Sequence, residues 1–150
     1  MIVLITGCRS GFGLHAAVEV AKRGHTVYAG MRDLSTASAL RDATAGLDVR
    51  PVQLDVTSAA EREEVIGSIR AEHGRIDGLV NNAGIAIGGF VEEIEEDELR
   101  RVMEVNFFAI WALTQACLPA MRAQGTGSIV NISSRSGVYA LPVLAPYAAS

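Results

Sequence analysis

The stretch Ile2-Val3-Leu4-Ile5-Thr6-Gly7-Cys8-Arg9-Ser10-Gly11-Phe12-Gly13-Leu14 decides the fold. Ile2 to Thr6 is a short apolar run that stops at a glycine turn, the pattern of a parallel strand buried on both faces. Leu14, Ala17, Val18 and Ala21 then recur at helical spacing, and Gly24 is placed to cap that helix at its C-terminus. A glycine-rich corner between a buried strand and a helix has a chemical use. The helix N-terminus offers unpaired N–H groups to an anion, and glycines let the main chain approach a pyrophosphate without a Cβ in the way. The spacing here is G-x-x-x-G-x-G, not the G-x-G-x-x-G of the standard dinucleotide fingerprint. Taken alone, the corner would also suit a methyltransferase or be only a tight turn.

The same alternation runs along the rest of the chain. Strands are predicted at Thr26–Gly30, Val49–Leu54, Ile76–Val80 and Ser128–Ser133. Helices are predicted at about Ser35–Thr44, from a Ser58/Glu61 capping box through His73, and over about Glu96–Ala123. In the last of these, Leu99, Met103, Asn106, Ile110, Leu113 and Cys117 trace one stripe. Five strands separated by helices, with no repeat or low-complexity linker, predict an α/β fold with a doubly wound parallel sheet of Rossmann type. Residues 1–150 read as a single nucleotide-binding domain.

Composition narrows the function. The 49% hydrophobic and 20% charged fractions describe a folded chain, and the net charge of −4 supplies no basic field for nucleic acid. The longest uninterrupted apolar stretch, Phe107 to Leu113, is too short for a membrane span. Cys8 and Cys117 make neither a disulfide framework nor a metal pattern and read as small buried thiols, which fits a reducing, cytoplasmic setting. His15, His25 and His73 share no metal-ligand spacing, so no metal is expected. The acidic run Glu92–Glu98 reads as the solvated start of the long helix.

Polar residues gather where ligands collect, at the carboxyl ends of the strands. The second strand ends in Gly30-Met31-Arg32-Asp33. Arg32, with Arg9 from the glycine turn, suits a 2′-phosphate and favours NADP; Asp33 is the rival residue, which would favour NAD through a ribose hydroxyl. Asp55 and Asn81-Asn82-Ala83-Gly84 end the third and fourth strands, as ligand groups or as ordinary turn formers. Asn106 puts an amide in an apolar stripe, where an unpaired buried group costs about 1–3 kcal/mol, so it needs partners. Bending the helix and serving a wet active site are equally open roles for it. Ser134 follows the fifth strand, and Tyr147 stands thirteen residues later. A free phenol, with a pKa of about 10, is a poor base at neutral pH unless a nearby cation stabilises the phenolate.

TGCRSGFG at 6–13, LDVT at 54–57, NNAG at 81–84, Asn106 in MEVNFF, GSIVNISS at 127–134 and YAAS at 147–150 occur together and in order. On these the chain resembles the classical short-chain dehydrogenase/reductase family, in the style of its hydroxysteroid and retinol dehydrogenase branch. The resemblance implies an NADP(H)-dependent oxidoreductase acting on a secondary alcohol or ketone, with a hydrophobic small molecule as substrate. It implies Tyr147 as acid/base, Ser134 orienting the substrate oxygen, and Asn106 anchoring a relay water. It places Gly7, Arg9, Ser10, Gly11, Phe12 and Gly13 around the pyrophosphate, Arg32 at the 2′-phosphate, Asp55 and Val56 at the adenine, and Asn82, Ala83 and Gly84 at the nicotinamide-side ribose. Members of the family run to about 250 residues, as such single-domain sheets commonly do. Two further strands, the Lys of Y-x-x-x-K and the substrate lobe are therefore expected beyond these 150 residues, with homo-oligomers expected only of the complete chain. The alternative is a catalytically inactive nucleotide-binding module. The fifth strand would then be an exposed edge carrying Ile129, Val130 and Ile132. Purified as 150 residues, the chain is expected to show no turnover with NADPH and a ketone; full dehydrogenase rates in that assay would contradict this.

Overall fold

The computed structural model describes residues 1–139 and 141–150. Five parallel strands, β1 (Ile2–Thr6), β2 (Thr26–Met31), β3 (Val49–Gln53), β4 (Gly78–Asn81) and β5 (Ser128–Asn131), lie in the order β3-β2-β1-β4-β5. The doubly wound arrangement read from the sequence is present.

Strand alternation divides the core between two layers. Val3, Ile5, Val27, Ala29 and Met31 face α1 (Gly11–Lys22) and the short α2 (Ser38–Ala43), where Ala17, Ala21 and Leu40 meet them. Leu4, Tyr28 and Leu79 face the other way, toward α3 (Ala59–His73) and the long helix. Small residues on α1 let it sit close to the sheet. Leu4 and Ile5 are both fully buried, which is why β1 reads as an unbroken apolar run.

The long helical run departs from the sequence reading in phase. It comprises α4 (Glu96–Met103), a π-helical turn over Glu104–Phe108 and α5 (Ala109–Ala123). A π turn adds a residue to the helix and rotates the segment before it relative to the segment after it. The buried residues are therefore Val102, Ala109, Leu113, Cys117, Ala120 and Met121, while Leu99 is 40% exposed. By length and hydropathy alone the 28-residue run, with a mean hydropathy of 1.2 in its most apolar window, would suffice to cross a bilayer. Here its inner face instead packs against the sheet and α3, through Leu113, Cys117 and Met121.

Other boundaries shift for local reasons. The predicted Ser35–Thr44 helix is broken into a 3₁₀ turn, Leu34–Thr36, and α2, because Asp33 caps the first turn through Ser35 N–H (2.9 Å). Half of the Ser58 capping box forms: Ser58 Oγ accepts from Glu61 N–H (3.3 Å), but the Glu61 carboxylate turns to Asp55 N–H (2.5 Å). The fifth strand leaves the ladder after Asn131, and Val130 and Ile132 are 48% and 46% exposed along that edge of the sheet. Cys8 and Cys117 are buried thiols as expected, and burial pushes them up to about 12 and about 11. The acidic residues 92–98 are largely exposed at the start of α4.

The fourth strand begins at Gly78 and not at Ile76; just before it, Asp77 bonds by its main chain to Ile2 O (2.8 Å) and Ser128 N–H (2.9 Å), and its side chain acts as a clamp. Its Oδ2 accepts from Ile2 N–H (2.7 Å) and its Oδ1 from Arg75 Nε (2.8 Å), with the side chain only 7% exposed. Burial raises the Asp77 carboxyl, but the Arg75 guanidinium and the Ile2 N–H outweigh it and hold the group below the usual carboxylate range. A depressed folded-state value stabilises the fold fully above the unfolded value of about 3.9, and the contribution is lost as pH falls through the folded one. Asp77→Asn is expected to cost about 1–3 kcal/mol in urea melts at pH 7. The gap between the two proteins should close as the melts are repeated below about pH 4.

Candidate active site

Thr6, 1% exposed at the end of β1, ties the glycine turn to the corner after β4. Its Oγ1 accepts from Asn82 N–H (3.0 Å) and Ala83 N–H (2.9 Å) and donates to Val80 O (3.4 Å). That uses the full capacity of a hydroxyl. Asn82 returns the contact, its Nδ2 donating to Thr6 O (2.8 Å) and Gly7 O (3.2 Å). Gly7 has φ +72°, and a Cβ there would stand 2.8 Å from Ala83 Cα. At Gly13 a Cβ would stand 2.4 Å from both Asn82 Nδ2 and Gly7 O. These two glycines are required by the closeness of the turn and the corner. On its other side the turn is tied to β2 by Cys8 N–H to Gly30 O (3.0 Å).

The first turn of α1 is left open. Ser10 is the N-cap residue, yet its side chain makes no capping bond, and a Cβ on Gly11 would meet open space. The orphan N–H groups of that turn are therefore available to an anion.

Two adjoining cavities share the Asn82–Ile85 segment. The first, about 490 Å³, is lined by Gly7, Arg9, Ser10, Arg32, Asp55, Val56, Asn82, Ala83 and Gly84 among the sequence-predicted residues, together with Asp33 and Thr36. Gly11 and Gly13 shape the turn without lining it. Arg9 and Arg32 take part in no ion pair among the described residues. The Asp33 carboxylate, by contrast, is engaged in its cap: bonding to Ser35 is the main cause that holds it below the usual range, with smaller help from Arg32 and Arg9. Asp55 Oδ1 accepts from both Thr57 N–H (2.9 Å) and Thr57 Oγ1 (2.7 Å). Burial raises the Asp55 carboxyl, but those bonds and the charges of Arg32 and Arg62 leave it lowered.

The second cavity, about 710 Å³, gathers Phe12, Asn106, Ser134 and Tyr147 around the same corner. Phe12, 81% exposed, thus points away from the first cavity and into the second. Asn106 lies in the π turn, and its Oδ1 accepts from Ile85 N–H (3.0 Å). Its Nδ2 donates to Ile85 O (2.9 Å) and Ser150 Oγ (2.8 Å). Ser150 Oγ in turn donates to Tyr147 O (3.0 Å), within α6 (Ala145–Ala149) and its last turn. Asn106 is thus both at the helix irregularity and on the wall of the cleft, where the sequence left these as alternatives. Ser134 Oγ accepts from Ser136 N–H (3.1 Å), which leaves its own proton free to be donated.

Sequence reasoning missed four contributors. Thr6 stood inside the quoted motif but had no role, although a hydroxyl ending an apolar strand is itself a signal. Ile85 acts through its main chain, which leaves no mark in a sequence. Gln53 and Ser150 each make a single side-chain tie across the fold.

Comparison with known proteins gives a consistent result. The sequence profile of the family described as short chain dehydrogenase matches residues 1–150. A 3-ketodihydrosphingosine reductase of Bacteroides thetaiotaomicron is 39% identical over 149 residues, covering 99% of this chain and 52% of the relative. The 17-beta-hydroxysteroid dehydrogenase type 1 of Homo sapiens is 39% identical over 161 residues, covering 99% and 47%. The crystal structure of a metagenomic short-chain oxidoreductase in complex with NADP superposes with a TM-score of 0.92 at 31% identity, covering 99% and 69%. The chain spans about half the length of the curated relatives it matches. Relatives named for such different substrates do not single out one branch. With the glycine turn, the asparagine corner and the Ser134/Tyr147 cleft on one rim of a parallel sheet, the chain belongs to the short-chain dehydrogenase family.

Proposed function

We propose that this chain carries the cofactor site and proton-relay residues of an NADP(H)-dependent oxidoreductase acting on a secondary alcohol or ketone with a hydrophobic body. The observation that carries the reading is the pair of unpaired guanidiniums, Arg9 and Arg32, beside the open N-terminus of α1. A pyrophosphate fits the orphan N–H groups, and a 2′-phosphate fits the guanidiniums, with Asp33 turned to its own cap. The solved metagenomic relative, which holds NADP, supports the same choice of cofactor. Asp55 and Val56 would border the adenine, and Asn82 to Gly84 the ribose near the second cavity. Bound there, the nicotinamide would supply or accept the hydride.

The chain's own residues do the rest. Tyr147 holds or delivers the proton at the substrate oxygen. Ser134, with one lone pair taken by Ser136 N–H, donates its proton to that same oxygen and orients it. Asn106 fixes the Ile85 main chain and, through Ser150, the Tyr147 helix, and would anchor a relay water. Phe12, Ile110 and Trp111 give the second cavity an apolar wall, which supports a hydrophobic substrate of the steroid or retinoid kind. A cytoplasmic setting is part of the same proposal.

The deciding experiment is a fluorescence titration of the chain with NADPH and NADH. Tighter binding of NADPH is expected, and Arg32→Ala should reduce NADPH affinity by about tenfold or more while NADH changes little. Equal affinities in the parent chain would overturn the NADP assignment. Thr6→Val, which keeps the shape and deletes the hydroxyl, is expected to cost about 1–3 kcal/mol in thermal or urea melts. It should also weaken both dinucleotides together, because it loosens the turn and not the phosphate contact.

A further inference from the structure

We propose that Gln53 is a positioning residue for cofactor choice: by holding the main chain of Arg32 it fixes where that guanidinium stands and so sets the preference for NADPH over NADH. The inference rests on the cofactor reading above. Gln53 is the last residue of the edge strand β3 and pairs with Met31 in the ladder. Its Nε2 donates to Arg32 O at 2.8 Å. Arg32 is the first residue past the end of β2, so its carbonyl lies beyond the ladder that orders Met31. The side chain of Gln53 is what extends the sheet's order by one more residue.

On the far side of Arg32 the chain is fixed again. Asp33 accepts from Ser35 N–H (2.9 Å), and Thr36 Oγ1 donates to Asp33 O (2.7 Å). Arg32 is therefore held between two anchors, and its guanidinium, in no ion pair among the described residues, projects from a fixed frame into the first cavity. A long, unpaired side chain has about 2 kcal/mol of rotamer entropy to lose on binding, so a frame that starts it in the right place matters. Gln53 itself lines neither cavity. It acts through Arg32 alone, and that restricts which ligand feels its loss: a dinucleotide with a 2′-phosphate does, and one without it does not.

The test is a double-mutant cycle read by binding to the 150-residue chain. Gln53→Met keeps the length and removes the donor at an exposed position, so the thermal melt should fall by no more than about a few degrees. It is expected to weaken NADPH about three- to tenfold, through the looser placement of the Arg32 guanidinium, and to leave NADH within about twofold. In an Arg32→Ala background the same substitution should have no further effect on NADPH. Equal weakening of both dinucleotides, unchanged NADPH affinity, or full additivity with Arg32→Ala would each overturn the inference while leaving the cofactor reading intact. Failure of the parent chain to bind NADPH would overturn the cofactor reading, and this inference with it.

Discussion

The contact between Thr6 and Asn82 is the constraint on which the site depends. In the order β3-β2-β1-β4-β5, successive connections run outward in opposite directions from the β1/β4 boundary. At such a switch point neighbouring loops diverge and a crevice opens at the carboxyl rim of the sheet. Left to itself, a crevice between diverging loops would be loose. Here Thr6 Oγ1 and Asn82 Nδ2 join the glycine turn to the asparagine corner with four bonds of 2.8–3.2 Å. Gly7 and Gly13 exist to let the two main chains approach that closely. The crevice therefore has a rigid floor, and the groups on either side keep fixed relative positions.

The second organising feature is the π turn over Glu104–Phe108. A regular α-helix would satisfy its backbone bonds better and would keep a single buried stripe. The irregular turn instead presents Asn106 to a strand-end loop, where its amide pairs with both polar groups of Ile85 as a second peptide unit would. The remaining Nδ2 proton reaches Ser150, and Ser150 reaches the Tyr147 carbonyl. One amide thus couples the loop after β4 to the helix bearing Tyr147. Loss of helical regularity is exchanged for a fixed distance between two walls of the cleft. π turns inside α-helices are frequent at functional sites for this reason.

The fold was legible because its determinants are local and repeated. β1 is apolar up to Thr6 since it is covered on both faces, Gly24 stops α1, and Ser58 starts α3. The helix-to-core phase was legible after the π turn, where Leu113 and Cys117 are buried, but not before it, where Leu99 is exposed, because a π turn costs one residue of register and no single side chain announces it. The Ser58/Glu61 pair was read as reciprocal, but the Glu61 carboxylate found a nearer donor in Asp55 N–H, a tertiary fact. Among the residues that line the two cavities, those with a telling side-chain type, such as Arg32, Asn106, Ser134 and Tyr147, could be named from the sequence. Those that act by tying main chain, Ile85 and Gln53, could not, since any residue has a backbone and a glutamine at a strand end is ordinarily a solvated one.

How an acidic chain keeps two guanidiniums unpaired in one cavity depends on where its carboxylates are spent. The net charge is −4, yet the first cavity contains Arg9 and Arg32 with no ion-pair partners among the described residues. Two carboxylates lie on the same wall, Asp33 and Asp55, and each accepts hydrogen bonds from its own succeeding turn: Asp33 from Ser35, Asp55 from Thr57. A carboxylate already satisfied by local N–H and O–H groups competes less for a guanidinium than a free one does. The local turns therefore satisfy the carboxylates, and the two guanidiniums lining the cavity stay outside ion pairs. That Arg9 and Arg32 stay out of ion pairs is thus tied to hydrogen bonding within two short turns, and the overall charge of the protein has little part in it.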